Sequence, residues 1–119
     1  MGRKIIDRLY SLNRNTVKLG LDNISNLLKH LDNPHKRLNA IHIAGTNGKG
    51  STAFFFNSIF SAAGYKTGLY LSPHLIDIRE RIIIGNEWIP EKKFAELAEQ
   101  IFCVIEKERL SATFFEFVT

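Results

Sequence analysis

One segment limits the possible folds of this chain more than any other: a short apolar run that leads into a glycine-rich loop. Residues 40–44 are rich in β-branched side chains, which predicts a buried strand. Apolar side chains then recur at helical spacing over residues 54–62, and a second β-prone run follows at residues 66–71. A strand, a helix and a strand at this spacing are typical of a βαβ unit. The sequence therefore predicts an α/β fold whose two strands are parallel and joined by a right-handed crossover.

The loop between the first predicted strand and the helix has the composition of a phosphate cradle. Its glycines let backbone N–H groups face an anion, Lys49 adds a positive charge, and Ser51 and Thr52 add hydroxyls at the start of a helix. The spacing departs from the common Walker A form, because Ile43 stands where a glycine is usual and Gly50 separates the lysine from the hydroxyls. Composition alone also fits a plain tight turn, whereas the position between a strand and a helix favours the cradle.

The remaining pattern predicts further helices and one hairpin. Two amphipathic helices are expected over residues 5–10 and 24–31, and a small β-hairpin is expected where residues 81–84 and 88–89 flank a glycine-containing turn. Pro90 suits the first turn of a last helix. The buried face of that helix is predicted to contain Phe94, Leu97, Ala98, Ile101 and Ile105.

One glycine and two apolar groups lead to expectations about a helix end and about packing. Gly64 is expected to end the central helix in a left-handed cap. The phenylalanines at positions 54, 55, 56 and 60 are expected to belong to the core of the protein. The last residues, 114–119, are strongly apolar and carry no stop signal, so we expect an element that is cut short and lacks its packing partner.

Composition restricts the class of protein. The net charge of +4 comes from 16 basic and 12 acidic residues spread along the chain, which suits anionic small-molecule substrates and gives weak support for nucleic-acid binding. The one cysteine, Cys103, excludes an intrachain disulfide and is expected to be inert. An apolar run long enough for a membrane span does not occur. A cytoplasmic protein without a nucleic-acid or membrane partner is expected.

Several motifs together resemble one family. Residues 42–52 are similar to the glycine-rich loop of the folylpolyglutamate synthase/dihydrofolate synthase family, within the Mur ligase superfamily, where a glycine also separates the lysine from the hydroxyl residue. The resemblance continues through residues 19–24, 63–70, 72–75, 80–82 and 113–116. It implies a P-loop ATPase domain with a parallel sheet and a small hairpin insertion. The 119 residues would be the N-terminal part of that domain, with the C-terminal glutamate-binding domain absent.

The resemblance also implies an activity. Members of this family are ATP-dependent ligases that add L-glutamate to folates, by transfer of the γ-phosphoryl group to a carboxylate and attack of the glutamate amine on the acyl phosphate. ATP and Mg²⁺ are the implied cofactors, and a monomer is the implied state of the full-length protein. Whether dihydropteroate is a second substrate stays open. We expect the 119 residues alone to be inactive.

Site residues follow from the same resemblance. ATP would be held by Gly45, Thr46, Asn47, Gly48, Lys49, Gly50, Ser51 and Thr52. Lys49 would contact the β- and γ-phosphates, and His74 is a second candidate catalytic residue. Ser51 and Ser72 would ligate Mg²⁺. Substrate binding would fall to Lys18, Leu19, Gly20, Leu21, Thr113, Phe114, Phe115 and Glu116.

Alternatives remain at this stage. Another Mur-type ligase that acts on cell-wall precursors is one, although residues 72–75 and 80–82 disfavour it. A nucleotide-binding module without catalysis is another. His74 has a plain interpretation as a loop cap, and Glu80 and Arg81 have one as a solvated ion pair beside a strand.

Overall fold

The computed structural model describes residues 3–12 and 20–119, which contain five helices and three short strands. The helices are α1 (Arg3–Ser11), α2 (Asp22–His30), α3 (Lys49–Ala62), α4 (Glu91–Lys107) and α5 (Phe114–Val118). The strands are β1 (Gly68–Tyr70), β2 (Ile82–Ile84) and β3 (Glu87–Trp88). Two 3₁₀ turns lie at Pro34–Arg37 and Ile78–Arg81. In this part of the chain, no helix is long and apolar enough to cross a membrane.

The chain divides into two compact units. The first unit combines Met1–Asn39 with Lys92–Thr119, and it holds α1, α2, α5 and nearly all of α4. The second unit is Ala40–Glu91, and it holds α3 and all three strands. The glycine-rich loop and Ser72 therefore belong to the second unit, whereas the predicted substrate-binding segments belong to the first.

The helical unit confirms both predicted N-terminal helices. Helix α1 buries Ile5 and Leu9, which are four residues apart and therefore share a face. Helix α2 ends in a left-handed turn, in which Asp32 takes a φ of 64° and the Asn33 N–H donates to the Leu28 carbonyl at 2.8 Å. That bond is the long closing bond of a Schellman motif.

The C-terminal run packs into the helical unit, so the expectation that it lacks a partner was wrong. Phe114, Phe117 and Val118 are buried in α5. The ring of Phe114 stacks on Tyr10, with centroids 5.5 Å apart, and the ring of Phe117 lies 4.5 Å from Phe102. A period of 3.6 residues turns these positions to one side of a short helix, and Phe115 is left exposed.

The buried face of α4 was predicted in part. Phe94 and Ala98 are buried as expected, and Phe102 completes the stripe. Leu97 is exposed, while Ile101 and Ile105 are half-buried. The actual face is centred on the 94–98–102 row, since residues four apart lie one above the other on a helix.

Helix α3 and its end are confirmed. Gly64 has a φ of 87°, the Tyr65 N–H donates to the Phe60 carbonyl at 3.0 Å, and the two rings meet edge to face. This is a Schellman cap with its hydrophobic contact. The expectation of a phenylalanine core was wrong for Phe54, Phe55 and Phe56, whose side chains are exposed in α3, whereas Phe60 is half-buried.

The sheet is antiparallel, and it does not contain the predicted parallel pair of residues 40–44 and 66–71. Strand β1 pairs with β2, with Leu69 opposite Ile83, and β2 pairs with β3, with Ile83 opposite Trp88. The tight turn between β2 and β3 allows only the antiparallel arrangement, since parallel pairing needs a long crossover. The predicted hairpin is confirmed, and Gly85 takes a φ of 64° at its first turn position.

Residues 40–44 do not form the predicted strand. They have no regular structure, and the Ile41 side chain is 59% exposed. A β-prone run becomes a strand only where a neighbouring strand accepts its hydrogen bonds, and the sheet among the described residues contains β1, β2 and β3 alone. The first strand of the expected βαβ unit is therefore absent from this sheet.

Candidate functional site

The glycine-rich loop takes a backbone path that requires glycine at two positions. Gly45 has a φ of 152°, and Gly48, the residue that caps α3, has a φ of 72°. A β-carbon on Gly45 would approach the Asn47 carbonyl oxygen and Lys49 Cγ at 3.9 Å each. Positive φ values are accessible to glycine at little cost, so the loop can turn sharply into the helix.

The start of α3 presents its first amide groups to the loop. The Thr52 N–H donates to the Gly48 carbonyl at 2.9 Å, and no side chain caps the helix at Gly48. The amides before Thr52 are the ones that a helix leaves without intrahelical partners, and the helix dipole gives this end a partial positive charge. The loop residues are exposed, with Gly50 half-buried. An anion can therefore reach this end of the helix.

Lys49 lies beside the loop. Its Nζ donates to the Thr46 carbonyl at 3.3 Å, so the amine is held over the loop backbone and close to the helix end. The hydroxyl-bearing side chains of Ser51 and Thr52 follow in the first turn of α3 and are exposed. The structure thus brings all eight predicted nucleotide-binding residues into one loop and helix start.

A second group of predicted residues lies beyond the end of β1 and is joined by a buried arginine. Arg81, 7% exposed, donates from Nη1 to the Ser72 hydroxyl oxygen at 2.9 Å and from Nε to His74 Nδ1 at 2.7 Å. The Ser72–Pro73 peptide bond between these partners is cis. Because His74 Nδ1 accepts a hydrogen bond, the proton of the neutral imidazole lies on Nε2.

The loop that follows is organised by one carboxylate. Glu80 Oε1 accepts from the backbone N–H groups of Ile76, at 2.9 Å, and Asp77, at 2.7 Å, while Oε2 accepts from Leu75 N–H at 2.8 Å. These bonds, of which the one from Asp77 is the largest cause, lower the pKa of Glu80. Three amide donors stabilise the ionised form of the carboxylate, which is why its pKa falls.

The Asp77 carboxylate caps the 3₁₀ turn that follows this loop. It accepts from the Arg79 N–H at 2.9 Å, and it also pairs with the Arg79 guanidinium at 2.8 Å. The side-chain bond from Arg79 is the main cause of the lowered pKa of Asp77. The Arg79 guanidinium also lies 5.9 Å from the Trp88 ring centroid, which links the turn to the hairpin.

The interpretation of Glu80 and Arg81 as a solvated ion pair was wrong. Arg81 is buried, and the carboxylate of Glu80 binds backbone amides. One signal for this was present in the sequence, because Asp77 and Glu80 have the three-residue separation of a capping box, and the structure contains that box. The bonds of Arg81 to residues 72 and 74 had no such signal, since side-chain contacts across a loop are not periodic.

The predicted substrate-binding residues that the structure describes lie in the helical unit. Gly20 has a φ of 122° and Leu21 is exposed directly before α2, whereas Lys18 and Leu19 lie outside the described residues. Within this unit, α2 and α5 contact each other. The predicted residues before α2 and those at the start of α5 thus belong to two helices that contact each other.

At the start of α5, four predicted substrate-binding residues take different roles. Thr113 and Glu116 form a reciprocal capping box, with Thr113 N–H to Glu116 Oε2 at 2.8 Å. Phe114 belongs to the core, and Phe115 exposes its ring. The exposed ring of Phe115 is therefore the aromatic surface that this segment offers to a ligand.

The predicted Mg²⁺ ligands of this chain are two serine hydroxyl groups. Ser51 and Ser72 offer hydroxyl oxygens, which are the hard donors that Mg²⁺ prefers. Among residues 3–12 and 20–119, no group of three His, Cys, Asp or Glu side chains is placed to hold a metal ion. Hydroxyl oxygens of this kind are typical of sites where most Mg²⁺ ligands come from substrate phosphates and water.

Comparison with known proteins identifies the relatives of this chain, although no family model matches it. It is 37% identical over 103 residues to dihydrofolate synthetase of Saccharomyces cerevisiae, which covers 87% of this chain and 24% of the yeast protein. The crystal structure of folylpolyglutamate synthase from Thermotoga maritima superposes with a TM-score of 0.87 and 40% identity, over 97% of this chain and 27% of that one. A solved FPGS–AMPPCP–folate complex gives a TM-score of 0.91 at 31% identity, over 97% of this chain and 29% of that one.

These similarities agree in sequence and in structure. The chain belongs to the folylpolyglutamate synthase/dihydrofolate synthase family. It spans about a quarter of the length of the yeast relative and of the two solved structures named above.

Proposed function

We propose that the whole protein containing this chain is an ATP-dependent ligase that adds L-glutamate to folates. The observation that carries the proposal is the match over 97% of this chain to a folylpolyglutamate synthase solved with AMPPCP, an analogue of ATP, and folate. The exposed glycine-rich loop at the start of α3 supports it independently, because helix N-termini with open amides bind phosphate groups. Dihydropteroate is a second acceptor to be tested, since the yeast relative is a dihydrofolate synthetase.

In this proposal the loop holds the phosphates of ATP. Backbone N–H groups of residues 45–52 would face the phosphate oxygens, and Lys49, whose amine already lies over the loop, would neutralise the β- and γ-phosphates. Ser51 and Ser72 would supply hydroxyl oxygens to Mg²⁺, which when bound neutralises phosphate charge and polarises the γ-phosphoryl group.

The residues of this chain would act by positioning and by charge. A free carboxylate is a poor acylating agent because hydroxide is a poor leaving group, so activation by ATP makes amide formation feasible. Lys49 would hold the phosphoryl oxygens in line and lower the cost of charge developing on them. His74, whose Nδ1 is occupied by Arg81, would present Nε2–H as a hydrogen-bond donor within the site.

Folate would be bound by the helical unit. Residues 18–21 and 113–116 are the candidates, and the exposed Phe115 ring offers an apolar face for an aromatic ligand. We further propose that the whole protein is a monomer, is cytoplasmic, and has small molecules as its binding partners. The chain is proposed to be the N-terminal part of the ATP-binding domain.

The first experiment measures nucleotide binding by the whole protein. Isothermal titration with AMPPCP and Mg²⁺ should detect binding, and Lys49→Ala should weaken it by about tenfold or more, since a hydrogen bond between charged groups contributes roughly 1.5–3 kcal/mol. Lys66→Ala is the matched control, because Lys66 is an exposed lysine of the same unit outside the loop. Equal affinity in all three proteins would refute the phosphate cradle.

The second experiment tests the reaction. ADP release should require both a folate and L-glutamate, and mass spectrometry should find the folate heavier by one glutamyl residue. Nucleotide binding without such turnover would favour a non-catalytic module. Turnover with a cell-wall precursor in place of folate would favour another Mur-type ligase.

A further inference from the structure

The loop of residues 72–77, between β1 and the 3₁₀ turn, combines high exposure with a dense hydrogen-bond frame. Leu75 and Ile76 are 90% and 92% exposed, so burial of their side chains cannot hold the loop in place. Their backbone N–H groups nevertheless donate to the Glu80 carboxylate at 2.8 and 2.9 Å. The conformation of this loop therefore depends on polar contacts.

Glu80 and Arg81 supply these contacts from adjacent positions. Glu80 accepts three backbone N–H groups of the loop, and Arg81 donates to the Ser72 hydroxyl and to His74 Nδ1. The two side chains thus hold different parts of one loop, Glu80 its second half and Arg81 its first half.

The frame that carries these two residues is itself fixed. They end the 3₁₀ turn that leads directly into β2, and the Leu71 N–H donates to the Arg81 carbonyl at 2.9 Å, which joins the two ends of the loop. Because β2 pairs with both β1 and β3, the positions of residues 80 and 81 are set by the sheet. The sheet can therefore determine the loop through two side chains.

We propose that Glu80 and Arg81 are positioning residues that fix the loop of residues 72–77, and with it the Ser72 hydroxyl and the His74 imidazole, in the geometry that the ligase reaction uses. Neither residue needs to touch a substrate, since each acts through the loop. The functional half of this inference rests on the proposed function, whereas the structural half does not.

Hydrogen exchange of the whole protein tests the structural half. In the wild-type protein the amides of Leu75, Ile76 and Asp77 should be protected. Glu80→Ala should speed their exchange by about tenfold or more, because hydrogen bonds to a charged acceptor are among the stronger ones. Glu87→Gln is the matched control, as Glu87 is an exposed carboxylate on β3. Exchange at Ile89, which donates to the Ile82 carbonyl at 2.8 Å, should stay unchanged and so report that the hairpin is folded.

The Mg²⁺ dependence of turnover tests the functional half. Arg81→Gln should raise the Mg²⁺ concentration needed for half-maximal turnover, as Ser72→Ala should, and the double variant should need no more Mg²⁺ than Ser72→Ala alone. Such non-additivity is expected if Arg81 acts through Ser72, and a general loss of folding would not produce it. The Glu80→Gln protein should lower kcat with little change in the KM for ATP.

The outcomes separate the two proposals. Unchanged exchange of all three loop amides in Glu80→Ala would overturn the positioning role even in an active ligase. Fully additive effects of Arg81→Gln and Ser72→Ala on the Mg²⁺ concentration needed for half-maximal turnover would overturn the coupling between Arg81 and Ser72. A wild-type protein that shows the predicted protection but no ligase turnover would refute the proposed function and the catalytic purpose of the loop, and leave the structural frame intact.

Discussion

Loss of the Phe102 side chain should strongly destabilise the helical unit. Its side chain is 5% exposed in α4, its ring centroid lies 4.5 Å from that of Phe117, and Arg8 Cζ lies 3.9 Å from the same centroid. A buried Phe→Ala change costs about 3–5 kcal/mol, because it combines lost apolar burial with the cavity left behind. The Phe117 contact places Phe102→Ala toward the upper part of that range, since an aromatic pair adds about 0.5–1.5 kcal/mol.

The assay is urea unfolding of the 119-residue chain, followed by far-ultraviolet circular dichroism. Phe102→Ala should lower the free energy of unfolding by about 3–5 kcal/mol at an unchanged m-value, and Phe102→Leu should recover part of the loss. Phe115→Ala is the control, because Phe115 is 55% exposed in the adjoining helix and should change stability by less than about 0.5 kcal/mol. Equal effects of the Phe102→Ala and Phe115→Ala changes would refute the packing described for α4 and α5.

Three further outcomes follow from local geometry. Thr113→Ala should cost about 1 kcal/mol in unfolding free energy by removing the capping box of α5, and Thr113→Ser should restore most of it. Gly64→Ala should lower the free energy of unfolding by about 1–2 kcal/mol in a urea titration, because Gly64 has a φ of 87°. The added β-carbon would meet nothing within 4 Å, so the cost would come from the backbone conformation alone. The pKa values of Asp77 and Glu80 are lowered in the folded chain, so the two ionised carboxylates stabilise the folded state. This contribution to stability is complete above the ordinary carboxylate pKa of about 4, and it is lost as the pH falls through the lowered pKa values. Hydrogen exchange of residues 75–77 should therefore accelerate, relative to that of the hairpin, only in acid, and equal acceleration of both regions would contradict this.

The sequence allowed prediction of features that depend on near neighbours. Helices α1, α2 and α3 follow from apolar periodicity, and the left-handed turn at Gly64 follows from the rarity of that backbone conformation in other residues. The hairpin turn at Gly85 has the same origin. Each of these signals lies within a few residues of the structure that it specifies.

Features that depend on distant partners could not be predicted in this way. Residues 40–44 have the composition of a strand but pair with no strand among the described residues. Strand β1 pairs antiparallel with β2, and this pairing depends on the path of the chain between the two strands. Arg81 joins Ser72 to His74 through side-chain bonds that no spacing encodes. The composition and position of the glycine-rich loop predict it, whereas the hydrogen bonds that hold residues 72–77 join side chains to backbone groups in a pattern that the sequence does not specify.

The exposed face of α3 leads to a last prediction, about the behaviour of the 119-residue chain in solution. Phe55 and Ile59 are 69% and 64% exposed, and because they are four residues apart they lie next to each other on the helix. Tyr65, just beyond the end of α3, and Phe54 are exposed as well. Neighbouring exposed apolar side chains of this size favour association, since each Å² of apolar surface removed from water contributes about 25 cal/mol.

We therefore expect the purified chain to associate as its concentration rises, which light scattering coupled to size-exclusion chromatography would measure. The double change Phe55→Asp and Ile59→Asp should shift the chain toward monomer, because charge on this face opposes its burial. Leu38→Asp is the matched control, as Leu38 is also a strongly exposed apolar residue but lies outside α3. If Leu38→Asp restored the monomer as well as the α3 double change does, association would depend on general hydrophobicity. A wild-type chain that stayed monomeric over the whole concentration range would show that the α3 face is too small or too well hydrated to drive association.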